Sequence, residues 1–127
     1  MTRKVISTDQ APSAIGPYSQ AIAAGGFVFI SGQLPIDPTD GKMVEGKIAA
    51  RTHQILNNAR KIAEEAGAAM TNVVKTTIFL TDLADFQEVN AAYSEHFPDA
   101  PPARSTVQVA ALPLGSNIEI EFILTLT

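Results

Sequence analysis

Cysteine and tryptophan are both missing from this chain of 127 residues. The lack of cysteine excludes disulfides, thiolate metal sites and thiol nucleophiles, and it fits a reducing compartment, so we expect a cytoplasmic protein. Charged residues are also few, at 17% against 46% hydrophobic residues, which is typical of a compact globular fold and excludes a disordered chain. At this length we expect a single domain that spans residues 1–127.

Basic side chains are scarce and scattered. Nine Lys and Arg residues stand against 13 Asp and Glu residues, giving a net charge of −4, and no segment gathers the positive charge that tracks a phosphate backbone. No segment approaches the ~18 continuous apolar residues of a membrane helix, and polar residues interrupt the segment after Arg3 and Lys4 where a signal peptide would be apolar. We therefore expect neither nucleic acid nor a membrane as a partner.

Sequence motifs that hold cofactors or metals are absent as well. No glycine-rich phosphate loop follows a predicted strand, and there is no HExxH segment or serine nucleophile elbow. His53 and His96 fall in predicted helices among polar neighbours and are interpreted as surface residues, while Asp37, Asp40 and Glu45 lack the spacing of a calcium-binding loop. We expect no cofactor and no metal ion.

Two segments have the apolar spacing of amphipathic helices. Apolar residues recur every three or four positions from Ile48 to Ala66, and Gly67 supplies a C-terminal stop. The second helix is predicted to follow Asp82 as its N-cap, with Asp85 three residues later, and prolines end it. Its apolar face consists of Phe86, Val89, Tyr93 and Phe97.

The remaining apolar segments indicate strands, and with the helices they predict an α+β fold in which a mixed β-sheet carries two helices on one face. Gly25 and Gly26 suit the positive φ angles of a tight hairpin turn, whereas residues 34–46 are rich in turn formers. The predicted strands are Val5–Ile6, Gln20–Ala24, Phe27–Ser31, Val73–Leu80, Arg104–Val109 and Ile118–Leu126.

The last two predicted strands alternate between apolar and polar side chains. Val107 alternates with Arg104 and Thr106 in one strand, and Ile120 alternates with Glu119 in the other. If both strands join one sheet with the helices on its apolar side, Arg104 and Glu119 are predicted to share the helix-free face.

Two strands are apolar on both of their faces. In Phe27–Ser31 the two phenylalanines alternate with Val28 and Ile30, and Val73–Leu80 is nearly as apolar. Two helices can cover only one face of such a sheet, and an exposed apolar face usually marks an association surface. We therefore expect a homo-oligomer, with any site on the helix-free face at or near a subunit interface.

Polar residues near these strands are the candidates for chemistry. A guanidinium such as that of Arg104 binds a carboxylate through two parallel hydrogen bonds, and it serves equally well as a structural ion-pair partner of Glu119 or Glu121. Glu119 is either a base that activates water or a charge at the rim of the sheet. Asn90 interrupts the apolar stripe of the second helix, as a buried hydrogen-bonded residue or a site residue, and Tyr18 is either a core aromatic or a lid.

Several segments along the chain together carry a resemblance to a known family. The carboxy-terminal ones are Pro102–Val107, Leu112-Pro113 and Ile118–Glu121, and the supporting ones are Ala14–Gln20, Ser31–Pro35, Val74–Leu80, Asp85-Phe86 and Val89-Asn90. In these segments the sequence resembles the Rid (reactive intermediate deaminase, YjgF-like) family. The resemblance covers nearly the whole domain, in order.

This resemblance implies a chorismate-mutase-like α+β fold that assembles as a homotrimer with three clefts between subunits. It also implies hydrolysis of reactive enamines and imines such as 2-aminoacrylate to 2-keto acids and ammonia, without a cofactor. The implied partners are small 2-imino and 2-keto acids. Such a reaction needs little machinery, because an imine is already electrophilic and only has to be oriented beside a water molecule.

The matching motifs also imply roles for particular residues. Arg104 would bind the substrate carboxylate and Glu119 would position or activate the water. Tyr18, Ser31 and Gly32 would line the cleft. Further matches are Thr106 as a substrate-binding position, and Asn90 and Pro113 without a clear chemical role.

Thr106 is also a departure from the family pattern, because many members have cysteine at this position. A thiol is therefore not available here, and thiol-dependent regulation does not transfer to this chain. Two other functions remain open. A translation-inhibiting endoribonuclease fits poorly, since the sequence shows no basic groove and no paired histidines, and a non-catalytic metabolite-binding or holdase-like trimer would use the same cleft without turnover.

Overall fold

The computed structural model describes residues 2–126, which form eight strands, two α-helices and three short 3-10 turns. The strands are β1 (Lys4–Ile6), β2 (Ala21–Ala24), β3 (Phe27–Gln33), β4 (Ile36–Asp37), β5 (Lys42–Met43), β6 (Val73–Leu80), β7 (Ala103–Gln108) and β8 (Ile118–Thr125). The helices are α1 (Ile48–Glu65) and α2 (Phe86–Ser94). Neither described helix is both long and apolar enough to cross a bilayer.

Six of the strands form one mixed sheet in the order β1-β2-β3-β8-β6-β7. All neighbours are antiparallel except β6 and β7, which run parallel. The expectation of an α+β fold with a mixed sheet is confirmed. Within residues 34–46, where only turns were predicted, β4 and β5 pair as a separate two-stranded hairpin.

The hairpin between β2 and β3 forms where the sequence predicted it. Gly25 and Gly26 have φ angles of 60° and 82°, and Ala24 pairs with Phe27 directly across the turn. Two successive positive φ angles match the twist of the flanking strands, which is why two glycines suit this position.

Both helices cover the same face of the sheet, as expected. From α1, Ile55, Leu56 and Ile62 are fully buried against the sheet. The helix ends within a residue of its predicted end, and Gly67 follows with a φ angle of 82°. The side chain of Val89 in α2 joins the same core.

The second helix is shorter than its apolar stripe predicted. The carboxylate of Asp82 accepts a hydrogen bond from the backbone N–H of Ala84 at 2.9 Å, so it caps a 3-10 turn over Leu83–Asp85, and α2 itself begins at Phe86. The helix ends at Ser94. Phe97 lies beyond it, yet its ring still packs on that of Tyr93, with 4.8 Å between the centroids.

The prediction that Arg104 and Glu119 share the helix-free face is wrong. Arg104 pairs with Thr76, whose buried hydroxyl hydrogen-bonds to the phenol of Tyr93 at 2.7 Å, so this side of β7 faces α2. Glu119 pairs with Phe79, three residues further along β6 and on the opposite face. Val107 pairs with Phe79, so this apolar residue of β7 points to the helix-free face rather than into the core.

The helix-free face exposes several apolar side chains, as the two-faced strands predicted, beside the carboxylates of Glu119 and Glu121. Phe27 and Phe29 of β3 remain 44% and 45% exposed, and Val107 of β7 is 41% exposed. No described helix packs on this face, so the side chains of Phe27, Phe29 and Val107 contact solvent in a single copy of the chain. A face of this kind is typical of a subunit interface.

Candidate active site

The candidate site residues lie in two groups on opposite sides of the sheet. One group surrounds a cleft of about 450 Å³ between α2 and the start of β7, which we call the arginine cleft; its walls include Asn90, Tyr93, Pro102 and Arg104. The other surrounds a cleft of about 270 Å³ beside β3, which we call the tyrosine cleft; its walls include Tyr18, Gly32, Pro113 and Leu114.

Arg104 is held by aromatic rings and not by an acid. Its guanidinium carbon lies 5.4 Å from the ring centroid of Phe86 and 5.0 Å from that of Tyr93, within the range of cation–π attraction. Among residues 2–126 it forms no ion pair with any carboxylate. The alternative of a structural pair with Glu119 or Glu121 within the chain is therefore wrong, and the planar fork of the guanidinium is available to an external carboxylate.

Two further oxygens near Arg104 are buried without a partner in the described chain. They are Oδ1 of Asn90, on α2, and Oγ1 of Thr106, two residues along β7 from Arg104 on the same side. A buried polar atom without a hydrogen bond costs about 1–3 kcal/mol, so such atoms need water or a ligand as a partner. Because Oδ1 of Asn90 has no hydrogen bond within the described chain, the interpretation of Asn90 as a hydrogen-bonded core residue does not fit, and its role in a site stays a prediction.

The backbone at Ser31 and Gly32 departs from regular pairing. Ile30 pairs with Phe122 and Gln33 with Ile120, so β3 has one extra residue between these two pairs. Ser31 is fixed to the segment that carries Tyr18, because its hydroxyl donates to the carbonyl of Ser19 at 2.6 Å. Bulges of this kind are common beside active sites, where they redirect a side chain or allow a close approach.

The extra residue brings Gly32 against the carboxylate of Glu119. A Cβ atom added to Gly32 would overlap the Glu119 side chain, so only glycine leaves room for the carboxylate. Burial raises the pKa of Glu119 above its usual value, and repulsion from Glu121 on the same face of β8 adds to the rise. A carboxylate with a raised pKa is a stronger base toward a water molecule.

Tyr18 is not a core aromatic, since its side chain is 52% exposed at the mouth of the tyrosine cleft. Its hydroxyl accepts a long hydrogen bond of 3.4 Å from the backbone N–H of Ile15. The interpretation of Tyr18 as a lid stays a prediction. Pro113 lies in the same cleft.

The two histidines are paired, contrary to the sequence interpretation. Nδ1 of His53, on α1, lies 2.9 Å from Nε2 of His96, just after α2, and Nε2 of His53 lies 3.7 Å from a carboxylate oxygen of Glu95. A direct hydrogen bond leaves no space for a phosphate between the rings. Within residues 2–126 no three His, Asp or Glu side chains are grouped to hold a metal ion.

Sequence reasoning also missed the rings that hold Arg104. Phe86 and Tyr93 are seven residues apart, which places them on one face of α2, and the sequence interpretation assigned that face entirely to the core. The order of the elements could have predicted this contact. A strand that follows a helix after a short proline-rich segment is expected to lie beside that helix, so Arg104 on β7 is expected near α2.

Comparisons with known proteins decide the family. Residues 8–126 match the family model described as Endoribonuclease L-PSP. The chain belongs to this family. The resemblance to the Rid proteins is confirmed by a curated relative from Arabidopsis thaliana, Reactive Intermediate Deaminase A, chloroplastic, which is 53% identical over 124 residues, or 98% of this chain and 66% of that protein.

Two more relatives extend the comparison. The human protein named 2-iminobutanoate/2-iminopropanoate deaminase is 50% identical over 121 residues, covering 95% of this chain and 88% of that protein. The crystal structure of E. coli TdcF with bound serine superposes with a TM-score of 0.92 at 39% identity, covering 96% of this chain and 98% of that one. The chain thus shares its fold with this structure over nearly its whole length.

Proposed function

We propose that this protein is an enamine/imine deaminase that hydrolyses 2-imino acids, such as the tautomer of 2-aminoacrylate, to 2-keto acids and ammonia without a cofactor. The names of the Arabidopsis and human relatives support a deaminase. The observation that carries the proposal is Arg104, a cation that two rings hold in place beside a cleft with no carboxylate of the described chain to neutralise it.

The reaction adds one water molecule and releases one ammonia. The oxygen of water attacks the imine carbon while one of its protons moves to the imine nitrogen, which gives a carbinolamine. The hydroxyl proton of the carbinolamine then moves to the amino group, and the C–N bond breaks as the carbonyl forms and ammonia leaves. Because the imine is already electrophilic, the protein has only to bind and orient the reactants. Neither a metal nor an organic cofactor is required by this chemistry.

Arg104 binds the substrate carboxylate with two parallel hydrogen bonds in this scheme. The hydroxyl of Thr106 donates a further hydrogen bond to the same group, and Oδ1 of Asn90 accepts one from the imine nitrogen. Each of these two oxygens lacks a partner in the described chain, which supports their engagement by a ligand.

Glu119 accepts a proton from the attacking water, since burial raises its pKa and so makes it a stronger base than an ordinary glutamate. Tyr18 closes over the tyrosine cleft and Ser31 fixes the segment that carries it. A thiol plays no part, because the chain contains no cysteine.

We further propose that the active site forms between two copies of the chain in a homotrimer. Arg104 and Glu119 face opposite sides of one sheet, so one copy cannot bring both to the same substrate. The uncovered apolar face around Phe29 is a suitable surface for a neighbouring copy to pack on. The cytoplasmic location remains a prediction from the sequence.

Neither alternative function gains support from a specific observation. The paired histidines share a hydrogen bond and do not flank a space for phosphate, and the net charge of −4 opposes an RNA partner. A metabolite-binding trimer would need Arg104 to bind its ligand but would not need Glu119. A variant of Glu119 that loses turnover and still binds the ligand therefore indicates an enzyme.

The direct test is a coupled assay in which a PLP-dependent dehydratase produces 2-aminoacrylate while keto-acid formation is timed with and without this protein. We expect faster keto-acid formation, lost in Glu119→Gln while that variant still binds a 2-keto acid in calorimetry. If several amino-acid precursors give no acceleration, the deaminase proposal is wrong.

A further inference from the structure

The short turn between β7 and β8 places one leucine in an unusual backbone conformation. Leu114 has φ 58° and ψ 23°, and it is the one residue other than glycine with a positive φ among residues 2–126. This left-handed region is unfavourable for a bulky side chain, and such conformations concentrate at functional sites. Gly115 next to it is also left-handed, with φ 69°.

The turn is fixed rather than loose. The backbone N–H of Ser116 donates to the carbonyl of Pro113 at 3.1 Å, and the buried hydroxyl of Ser116 donates to the carbonyl of Ile118 at 2.8 Å. Ile118 immediately precedes Glu119, the proposed base. The position of Leu114 is therefore set relative to the start of β8.

The side chain of Leu114 extends into solvent at the tyrosine cleft together with a second apolar residue. Leu114 is 76% exposed and Ile15 is 86% exposed, more than any other large apolar side chain in the described chain. Both line the cleft that contains Tyr18 and Gly32, and Gly32 contacts Glu119. Backbone strain of this kind persists only where the surrounding structure maintains it, and it is concentrated at active sites and at positions that hold a ligand.

We propose that Leu114 and Ile15 form the wall that binds the substrate's side chain and determines substrate specificity. This inference rests on the proposed function. A 2-imino acid has a polar end, which Arg104 and Glu119 engage, and a variable side chain. An apolar side chain of this kind needs an apolar wall rather than a polar partner. The favoured substrate class is then 2-imino acids whose side chains are apolar and longer than a methyl group.

The experiment compares three 2-imino acids produced in situ from alanine, 2-aminobutyrate and leucine by an amino-acid oxidase with catalase. The variants are Leu114→Asn and Leu114→Gly, because asparagine and glycine both tolerate the left-handed conformation and the fold is retained. Ile15→Ser tests the other half of the wall. Leu83→Asn is the matched control, since Leu83 is an exposed leucine outside both clefts.

We expect the wild type to favour the longer substrates. In Leu114→Asn the ratio of kcat/KM for the four-carbon over the three-carbon substrate falls by roughly fourfold, the factor that corresponds to one buried methylene, and the leucine-derived ratio falls further. The three-carbon substrate, whose methyl group makes the least contact with the wall, loses the least in Leu114→Asn, and the Leu83→Asn ratios stay within about twofold of wild type, a margin below the methylene factor.

Two results would overturn the inference while leaving the deaminase proposal intact. One is an equal fall for all three substrates, and the other is a smaller oligomer for Leu114→Asn in light scattering, which would make Leu114 a contact between copies. A wild type that accelerates none of the three reactions would instead overturn the deaminase proposal and this inference with it.

Discussion

The carboxylate of Glu119 occupies the space that a Cβ atom on Gly32 would need. The chain has eight glycines, and the other seven have positive φ angles, so Gly32 alone is required for space and not for backbone conformation. This close contact ties the bulge of β3 to the proposed base. It links a backbone irregularity to the position of one reacting group.

Gly32→Ala therefore displaces the carboxylate of Glu119 without unfolding the chain. A shift of about 1 Å in a catalytic group can cost roughly a hundredfold in rate, and we expect a loss of that order in the coupled assay. Thermal melting checks that the fold persists. In a Glu119→Ala background, where the obstructing side chain is gone, Gly32→Ala should destabilise the protein less than it does alone; equal effects in both backgrounds would argue against the contact.

Arg104→Lys keeps the charge and loses the planar fork. A lost charge-assisted hydrogen bond is worth about 1.5–3 kcal/mol, so kcat/KM should fall at least tenfold, and Arg104→Ala should nearly abolish activity. Because Arg104 neutralises no carboxylate of the described chain, both variants should fold and assemble like wild type; Arg104→Ala also loses the two cation–π contacts and should melt slightly lower than Arg104→Lys. Unfolded or dissociated variants, or full activity in a stable one, would refute the assignment.

The acid side of the pH–rate profile should report Glu119. The base must be deprotonated to accept a proton, so activity falls as the pH drops through its pKa, which burial and Glu121 hold above the usual 4.5. Glu121→Gln removes the repelling charge and should move this limb to lower pH by a fraction of a unit. A limb that stays in place in Glu121→Gln, or moves upward, contradicts the assignment of the base.

The pair of His53 and His96 should make stability depend on pH. Burial lowers the pKa of His96 below its usual 6.5, with the charge of His53 adding to the effect, Glu95 opposing it and Arg60 adding slightly. The unfolded chain then binds the proton more readily, so stability is present above pH 6.5 and is lost as the pH falls through the folded pKa.

Melting temperatures at pH 7.5 and 5.5 measure this effect. The wild type should lose roughly a few degrees more over this interval than His96→Gln, whose amide keeps a hydrogen bond to His53 and does not titrate. Parallel losses in the two proteins would show that the histidine pair carries no pH dependence.

Local patterns predicted most of the elements, because helices and strands follow from the spacing of neighbouring residues. The bounds of β6 were predicted to the residue, and α1 was predicted to within one residue of its end. The N-terminus of α2 was placed too early, since Asp82 caps a separate 3-10 turn, a distinction that one capping residue does not reveal.

The facing of β7 could not be derived from alternation alone. The alternation of polar and apolar residues places Arg104 and Val107 on opposite faces of the sheet, but it does not determine which of the two faces packs against the helices. Val107 was assigned to the core because it is apolar, although the helix-free face is apolar as well. Likewise, the contact between His53 and His96 depends on how α1 packs against α2, which is tertiary information.

The central claim is that the active site combines Arg104 of one copy with Glu119 of another. Arg104→Ala and Glu119→Ala are each expected to be inactive, and the two are mixed in equal amounts, denatured and refolded together, with wild type treated in the same way. Each mixed trimer then contains one site with both residues intact, so about a quarter of the wild-type activity should return. A mixture that stays inactive while refolded wild type recovers would contradict the claim, because it would mean that both residues act from the same chain.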